Sequence, residues 1–148
     1  MEAIIFCGIQ ATGKSTFYKE RFFNSHVRIS LDLLHTRHRE NLFLQACLES
    51  QQPFVVDNTN VTKAERTKYV TLAKTEKYKV ICYYFQSKIA DSLERNARRN
   101  GKARIPEPGV KGAFSQLELP TNDEGFDQIF YVKITDTGFR EEKWRNEI

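Results

Sequence analysis

The sequence predicts an α/β fold, a three-layer sandwich in which helices cover both faces of a mainly parallel, five-stranded sheet. Three observations carry this expectation. Short apolar runs alternate with helix-like segments along the chain, the pattern of repeated strand–helix units. The first run, Ala3–Cys7, leads without a break into a glycine-rich turn that opens a helix. The 148 residues, 40% hydrophobic and 28% charged, contain no repeat, low-complexity stretch or Ser/Gly linker, so residues 1–148 read as one globular domain.

Taken in order, Ala3–Cys7 is a strand and Ser15–Phe23 a helix. Val27–Ser30 is a second strand. Asp32 is placed to cap a helix through Leu33, Leu34, Leu42, Phe43, Ala46 and Cys47 to about Ser50. Pro53 ends it and Phe54–Val56 forms the third strand, with Asp57 and Asn58 at its C-terminal edge. Thr62 starts a helix to about Glu76, with Glu65 as the reciprocal half of a capping box. Lys79–Phe85, rich in Val, Ile and Tyr, is the fourth strand and Ile89–Asn100 a helix. Gly101–Gly112, with Pro106 and Pro108, reads as a turn or mobile lid, so the lid region spans about 88–112. Phe126–Ile134 supplies the fifth strand, and the tail after Gly138 is expected to form a short helix. The aromatics Phe22, Phe23, Tyr83, Tyr84 and Phe85 read as core.

Composition excludes several classes. No apolar run approaches the roughly 20 residues of a membrane span. The opening MEAIIFCG lacks the basic flank and small-residue cleavage site of a secretory signal, which gives a cytoplasmic expectation. Cys7, Cys47 and Cys82 are odd in number and widely spaced in apolar contexts, so they read as reduced core thiols. His26, His35 and His38 show no metal-ligand pattern. The net charge is +4 with a pI near 9.0. Between Lys88 and Gly112 seven basic residues face three acids, so that segment alone accounts for the excess.

The nine residues Gly8-Ile9-Gln10-Ala11-Thr12-Gly13-Lys14-Ser15-Thr16 match the pattern G-x-x-x-x-G-K-[ST] without a gap. Gly8 and Gly13 let successive backbone N–H groups turn inward onto phosphate oxygens. The helix that follows adds the positive end of its dipole. Lys14 meets the β- and γ-phosphates, the Ser15 hydroxyl ligates Mg²⁺, and Thr16 donates to the α-phosphate. The implied cofactors are ATP and Mg²⁺ in a P-loop NTPase fold.

A guanine-reading NKxD and a clear Walker B strand ending in Asp-Glu are both missing from the sequence. Asp32 instead follows the second strand, where a carboxylate can accept the proton of an attacking hydroxyl; its plain alternative is a helix N-cap. Asp57 leaves a buried strand and can hold Mg²⁺ through water or orient the base, whereas Asn58 fits an Asx turn. Arg95, Arg98 and Arg99 share a helix face leading into the lid, where arginines neutralise a transferring phosphoryl group; the other basic residues can meet nucleic-acid phosphates.

These motifs, GIQATGKSTF, ISLD, VVDNTN followed by a helix with Arg66, RNARRNGKARIP and LPTNDEGFDQIFYVKI, resemble the 5'-kinase domain of the polynucleotide kinase family over nearly the whole chain. The resemblance implies a sheet order of 2-3-1-4-5. It implies Lys14 and Ser15 for ATP and Mg²⁺, Asp32 as base for a 5'-hydroxyl, and a lid arginine at Arg98 or Arg99. On this reading Gly8, Gly13, Thr16 and Arg95 belong to the nucleotide site, and His35, Asn58, Thr59, Asn60 and Arg104 to the acceptor. Three departures stand out. Gln10-Ala11 replaces a common Pro-Gly, His35 replaces an arginine that contacts the acceptor's 3'-side phosphate, and no DxDGT phosphatase motif occurs. The expected activity is phosphorylation of DNA or RNA 5'-hydroxyl ends. The alternatives are a kinase of a small hydroxyl compound, such as a sugar, nucleoside or antibiotic, and a nucleotide-switched binding module.

Overall fold

The computed structural model describes residues 1–145. Six strands form one sheet: β1 (Glu2–Cys7), β2 (Val27–Ile29), β3 (Phe54–Val56), β4 (Lys79–Phe85), β5 (Gln128–Thr135) and β6 (Gly138–Lys143). Their order is β2-β3-β1-β4-β5-β6. The first five are parallel in the expected 2-3-1-4-5 arrangement, and β6 adds an antiparallel edge. The central strands are buried on both faces, which is why they read as continuous apolar runs.

Side chains alternate across the sheet. Ile4, Phe6, Val55, Ile81, Tyr83, Phe85 and Val132 face Phe17 and Tyr18 of α1 (Lys14–Arg21) and Phe22, which caps its C-terminus. Ala3, Ile5, Cys7, Ile29, Val56, Cys82 and Tyr131 face the other way, onto Leu44 and Leu48 of α3 (Arg37–Ser50) and Tyr69, Val70 and Ala73 of α4 (Lys63–Thr75). The three cysteines are buried and free. Among the described residues no helix is long and apolar enough to cross a membrane.

Several expectations are corrected. The helix expected from Asp32 to Ser50 is two helices, α2 (Leu31–Leu34) and α3. His35, at φ 70°, breaks the run, and Thr36 caps α3 by accepting from the Arg39 N–H. Asp32 lies inside α2, whose N-cap is Ser30, so it is not the cap. The Gly/Pro stretch is not a bare turn. A 3-10 turn at Gly101–Ala103 leads into α6 (Glu107–Gln116), because prolines fit a first helical turn, where no intrahelical N–H bond is lost. α6 pairs with α5 (Ile89–Ala97), and both rest on Ile9 and Val61 through Leu93, Ile105 and Val110.

The tail after Gly138 is β6, not a helix. A two-residue loop, Asp136-Thr137, returns the chain so that Phe139 packs edge-on against Phe17. Phe23, finally, is exposed, one position past the buried Phe22. The Thr62 cap holds, accepting from the Glu65 N–H at 3.1 Å.

Candidate active site

The strand order reverses at β1, so the loop after it opens into the crevice at the C-terminal ends of β1, β3 and β4. That loop is pinned from both sides. The Gly8 N–H donates to the Thr59 carbonyl at 2.9 Å, and the Ile9 N–H to Ser87 Oγ at 3.0 Å. Gly13 turns at φ 91°, and a Cβ there would meet Phe139 Cε1 at 2.7 Å. Ala11 also sits in the left-handed region, at φ 60°, a conformation that costs an alanine about 1 kcal/mol. Arg95 Nη1 holds it by donating to its carbonyl at 3.1 Å.

Lys14 is folded back into the loop, where Nζ donates to the carbonyls of Gly8 (2.9 Å) and Ile9 (2.7 Å). Burial lowers its pKa from 10.5 to about 8; Asp57 and Asp32 oppose this and Arg99 adds to it. The unfolded chain keeps this proton up to its ordinary pKa, so the nucleotide-free fold gains stability as pH rises from about 8 towards 10.5. Phosphate oxygens at Nζ favour the charged form. Nucleotide affinity is therefore expected to fall as pH rises through about 8, with proton uptake on binding above that value. Calorimetry in buffers of different ionisation enthalpy checks this, and Lys14→Met removes the proton uptake.

Ser15 and Thr16 are exposed at the start of α1. Ser15 Oγ donates to Asp57 Oδ2 at 2.9 Å, uniting two residues 42 positions apart. Register explains it. Arg28 pairs with Val55 and Ile29 with Val56, so Arg28, Val55 and Asp57 point to the α1 face of the sheet. Arg28 completes the cluster: Nε donates to Asp57 Oδ2 at 2.8 Å and Nη2 to Ser15 Oγ at 3.0 Å. Sequence reasoning assigned Arg28 no role. The signal that could have found it is its shared face with Asp57.

Asp32 is exposed on α2, and its charge reaches Lys14. Asn58 positions this helix. Its Oδ1 accepts from the Leu31 N–H at 2.9 Å, while its Nδ2 donates to Glu40 at 2.9 Å. Burial works against the Glu40 carboxylate, yet bonds from Tyr69 and Asn58 and the charge of Arg37 hold its pKa below the ordinary value. Asn60 donates to the Phe6 carbonyl at 2.8 Å. Asn58 and Asn60 thus use their amides on the framework, and Thr59 uses its carbonyl on Gly8. His35 is exposed just beyond Asp32.

The lid arginines separate. Arg95 clasps the loop, and Arg99 is near enough to Lys14 to lower its pKa. Arg98 is turned outward, paired with Glu94 and largely exposed, and Arg104 is also exposed. Asn96 exchanges two hydrogen bonds with Ile105, fixing the turn between α5 and α6.

Beneath the loop lies an ion pair the sequence did not reveal. Arg66 is fully buried and binds Glu124 through Nε (2.8 Å) and Nη2 (3.0 Å). Its Nη1 donates to the Asn60 carbonyl at 2.9 Å. Cys7, at the end of β1, is 3.5 Å from Nη1, and burial pushes its thiol up to about 11.

Comparison with known proteins agrees with this architecture. The AAA domain family model matches residues 36–120, a stretch that begins after the phosphate loop. A bifunctional polynucleotide phosphatase/kinase of Schizosaccharomyces pombe is 24% identical over 147 residues, covering 97% of this chain and 36% of that protein. The chain therefore spans about a third of the length of that curated relative. Chaetomium thermophilum Kti12 in complex with ADP-AlF3 superposes with a TM-score of 0.69 at 15% identity, over 91% of this chain and 92% of the other. The AvrRxo1-ORF1:-ORF2 structure with ATP gives 0.68 at 15% identity, over 96% and 57%. The fold is that of P-loop NTPases.

Proposed function

The chain belongs to the AAA domain family, and from that premise we propose that it is an ATP-dependent phosphotransferase acting on the 5'-hydroxyl ends of DNA or RNA. One observation carries the reading: Ser15 Oγ donates to Asp57 Oδ2 at 2.9 Å beside the loop into which Lys14 is folded, so a phosphate-binding lysine and a metal-side carboxylate share the strand edge past which the exposed Asp32 stands. Phosphoryl transfer needs these charges around one point and little covalent chemistry.

The backbone N–H groups of residues 8–14, with Lys14, receive the phosphates, and Thr16 donates to the α-phosphate. Ser15 and Asp57 form an all-oxygen donor set, which suits Mg²⁺. Bound there, Mg²⁺ would neutralise charge on the β- and γ-phosphates. Asp32 accepts the proton of the acceptor hydroxyl as its oxygen attacks the γ-phosphorus. The bond from phosphorus to the β–γ bridging oxygen breaks, leaving ADP. Arg99 meets the equatorial oxygens of the transferring group, and Arg95 holds the loop. Arg104 and His35, both exposed, are the groups we assign to acceptor phosphates. The choice of a nucleic-acid acceptor is supported by the basic lid and by the likeness to the fission-yeast phosphatase/kinase.

The test supplies γ-labelled ATP and Mg²⁺ with 5'-hydroxyl DNA and RNA oligonucleotides, beside a panel of nucleosides and sugars. Label is expected at an oligonucleotide 5' end, with acceptor use falling steeply as salt rises. Label confined to a small molecule would overturn the nucleic-acid reading. ATP bound with no labelled acceptor would make the protein a nucleotide-switched module.

A further inference from the structure

The Ser15–Asp57–Arg28 cluster is closed on all three sides: 2.9 Å between Ser15 and Asp57, 2.8 Å between Arg28 and Asp57, and 3.0 Å between Arg28 and Ser15. Asp57 is 5% exposed, and a carboxylate so buried needs a counter-charge. In this structure that charge is the Arg28 guanidinium, placed on the two oxygens assigned above to the metal.

We propose that Arg28 is a resident cation of the metal position. It holds Ser15 and Asp57 in the nucleotide-free protein and keeps free divalent cations off them. It yields only to a cation that arrives already bound to nucleotide. The inference rests on the assignment of Ser15 and Asp57 as metal holders.

Three physical points support displacement in that order. A guanidinium keeps its charge at every accessible pH, so the occupant is permanent rather than titrated away. Mg²⁺ gives up hydration water reluctantly and is usually held by one or two carboxylates together with substrate phosphates. The cluster alone offers one carboxylate and one hydroxyl, too little to outbid an arginine bonded to both. Nucleotide phosphates seated in the loop add the missing ligands. Arg28 also has a way out, because its side chain is 25% exposed and β2 is an edge strand. The cluster is thereby a device for ordered entry, in which metal and nucleotide load together.

Mn²⁺ binding, read by the electron paramagnetic resonance signal of the free ion, tests this without any turnover. Wild-type protein without nucleotide is expected to leave the free-ion signal intact at Mn²⁺ concentrations where Arg28→Gln takes up one ion, a gain in affinity of about tenfold or more from removing a competing charge. Adding Asp57→Asn to that variant should abolish the gain. Arg28→Lys, which keeps the charge but lacks the fork that reaches both oxygens, should gain less. Circular dichroism confirms that each variant is folded. Equal Mn²⁺ uptake by wild type and Arg28→Gln would overturn the proposal.

A second measurement needs no variant. The wild-type arginine Nε–H resonance protected by Asp57 should persist with Mg²⁺ alone and be lost with Mg²⁺ and ADP. Persistence in both would show a fixed bridge and overturn the displacement. The functional reading is judged separately: it fails if wild type takes up no Mn²⁺ with ADP present, whereas the gain in Arg28→Gln would stand regardless.

Discussion

Replacing Asp32 by asparagine is expected to slow phosphoryl transfer by about 10²–10⁴-fold, the usual worth of a positioned general base, and to leave nucleotide binding in place. Asparagine has the same shape but cannot take the proton of the attacking hydroxyl. The fold should not notice. Asp32 is exposed, and α2 is held by the Leu31 bond to Asn58 rather than by the Asp32 side chain. Stability should stay within about 0.5 kcal/mol of wild type, as for most surface substitutions. Lys14→Met is a useful contrast, because it should lose ATP affinity as well as rate. Single-turnover transfer together with calorimetric ATP binding separates the two. A loss of less than about tenfold in Asp32→Asn would move the base elsewhere.

The exposed position of Asp32 and the buried position of Asp57 illustrate how far sequence reaches. Both were legible as carboxylates at strand ends, since parallel sheets collect their chemistry along that edge. The phosphate loop was legible for the same reason that it works: its residue types are dictated by backbone contact with phosphate. Long apolar runs such as Lys79–Phe85 gave their strand to the residue. All of these signals are local.

What escaped depends on partners distant in the chain. Nothing near Asn58 announces that its amide joins Leu31 to Glu40, 18 residues away, or near Asn60 that its amide belongs to Phe6, 54 away. The break at His35 uses a positive φ without glycine, so it left no mark. β6 reads Gly-Phe-Arg-Glu-Glu-Lys, and at a sheet edge the charged side chains meet solvent rather than core. Its turn, Asp136-Thr137, has none of the glycine signal typical of a two-residue hairpin loop. The helix that carries Arg95 ends at Ala97, one turn earlier than the pattern suggested, so Arg98 and Arg99 lie past its end rather than on one helical face with Arg95.

The largest effect on stability is expected at Arg66. Methionine in its place, keeping the length of the side chain and removing its charge, should cost about 3–5 kcal/mol, the usual result of leaving one member of a buried ion pair alone. For a domain of this size that lowers Tm by roughly 10 °C or more. The reason is the geometry around Glu124. Its carboxylate, 7% exposed, accepts both Arg66 bonds and the Thr121 N–H, and loses its counter-charge with the arginine.

Glu124→Gln should cost less than Arg66→Met, because glutamine still fills the space and accepts one bond. Combining the two should recover part of the loss, as removing both charges removes the desolvation penalty that either leaves behind. Denaturant unfolding of the two single variants and the double gives that coupling directly, and additive losses would show that the pair contributes no mutual term. The damage should also reach the active site. Arg66 holds the Asn60 carbonyl, and residues 59 and 60 hold Gly8 and Phe6 at the mouth of the phosphate loop. Even where Arg66→Met remains folded, its ATP affinity should fall, while an equally destabilising change remote from the loop, such as Leu48→Ala in α3, should spare it.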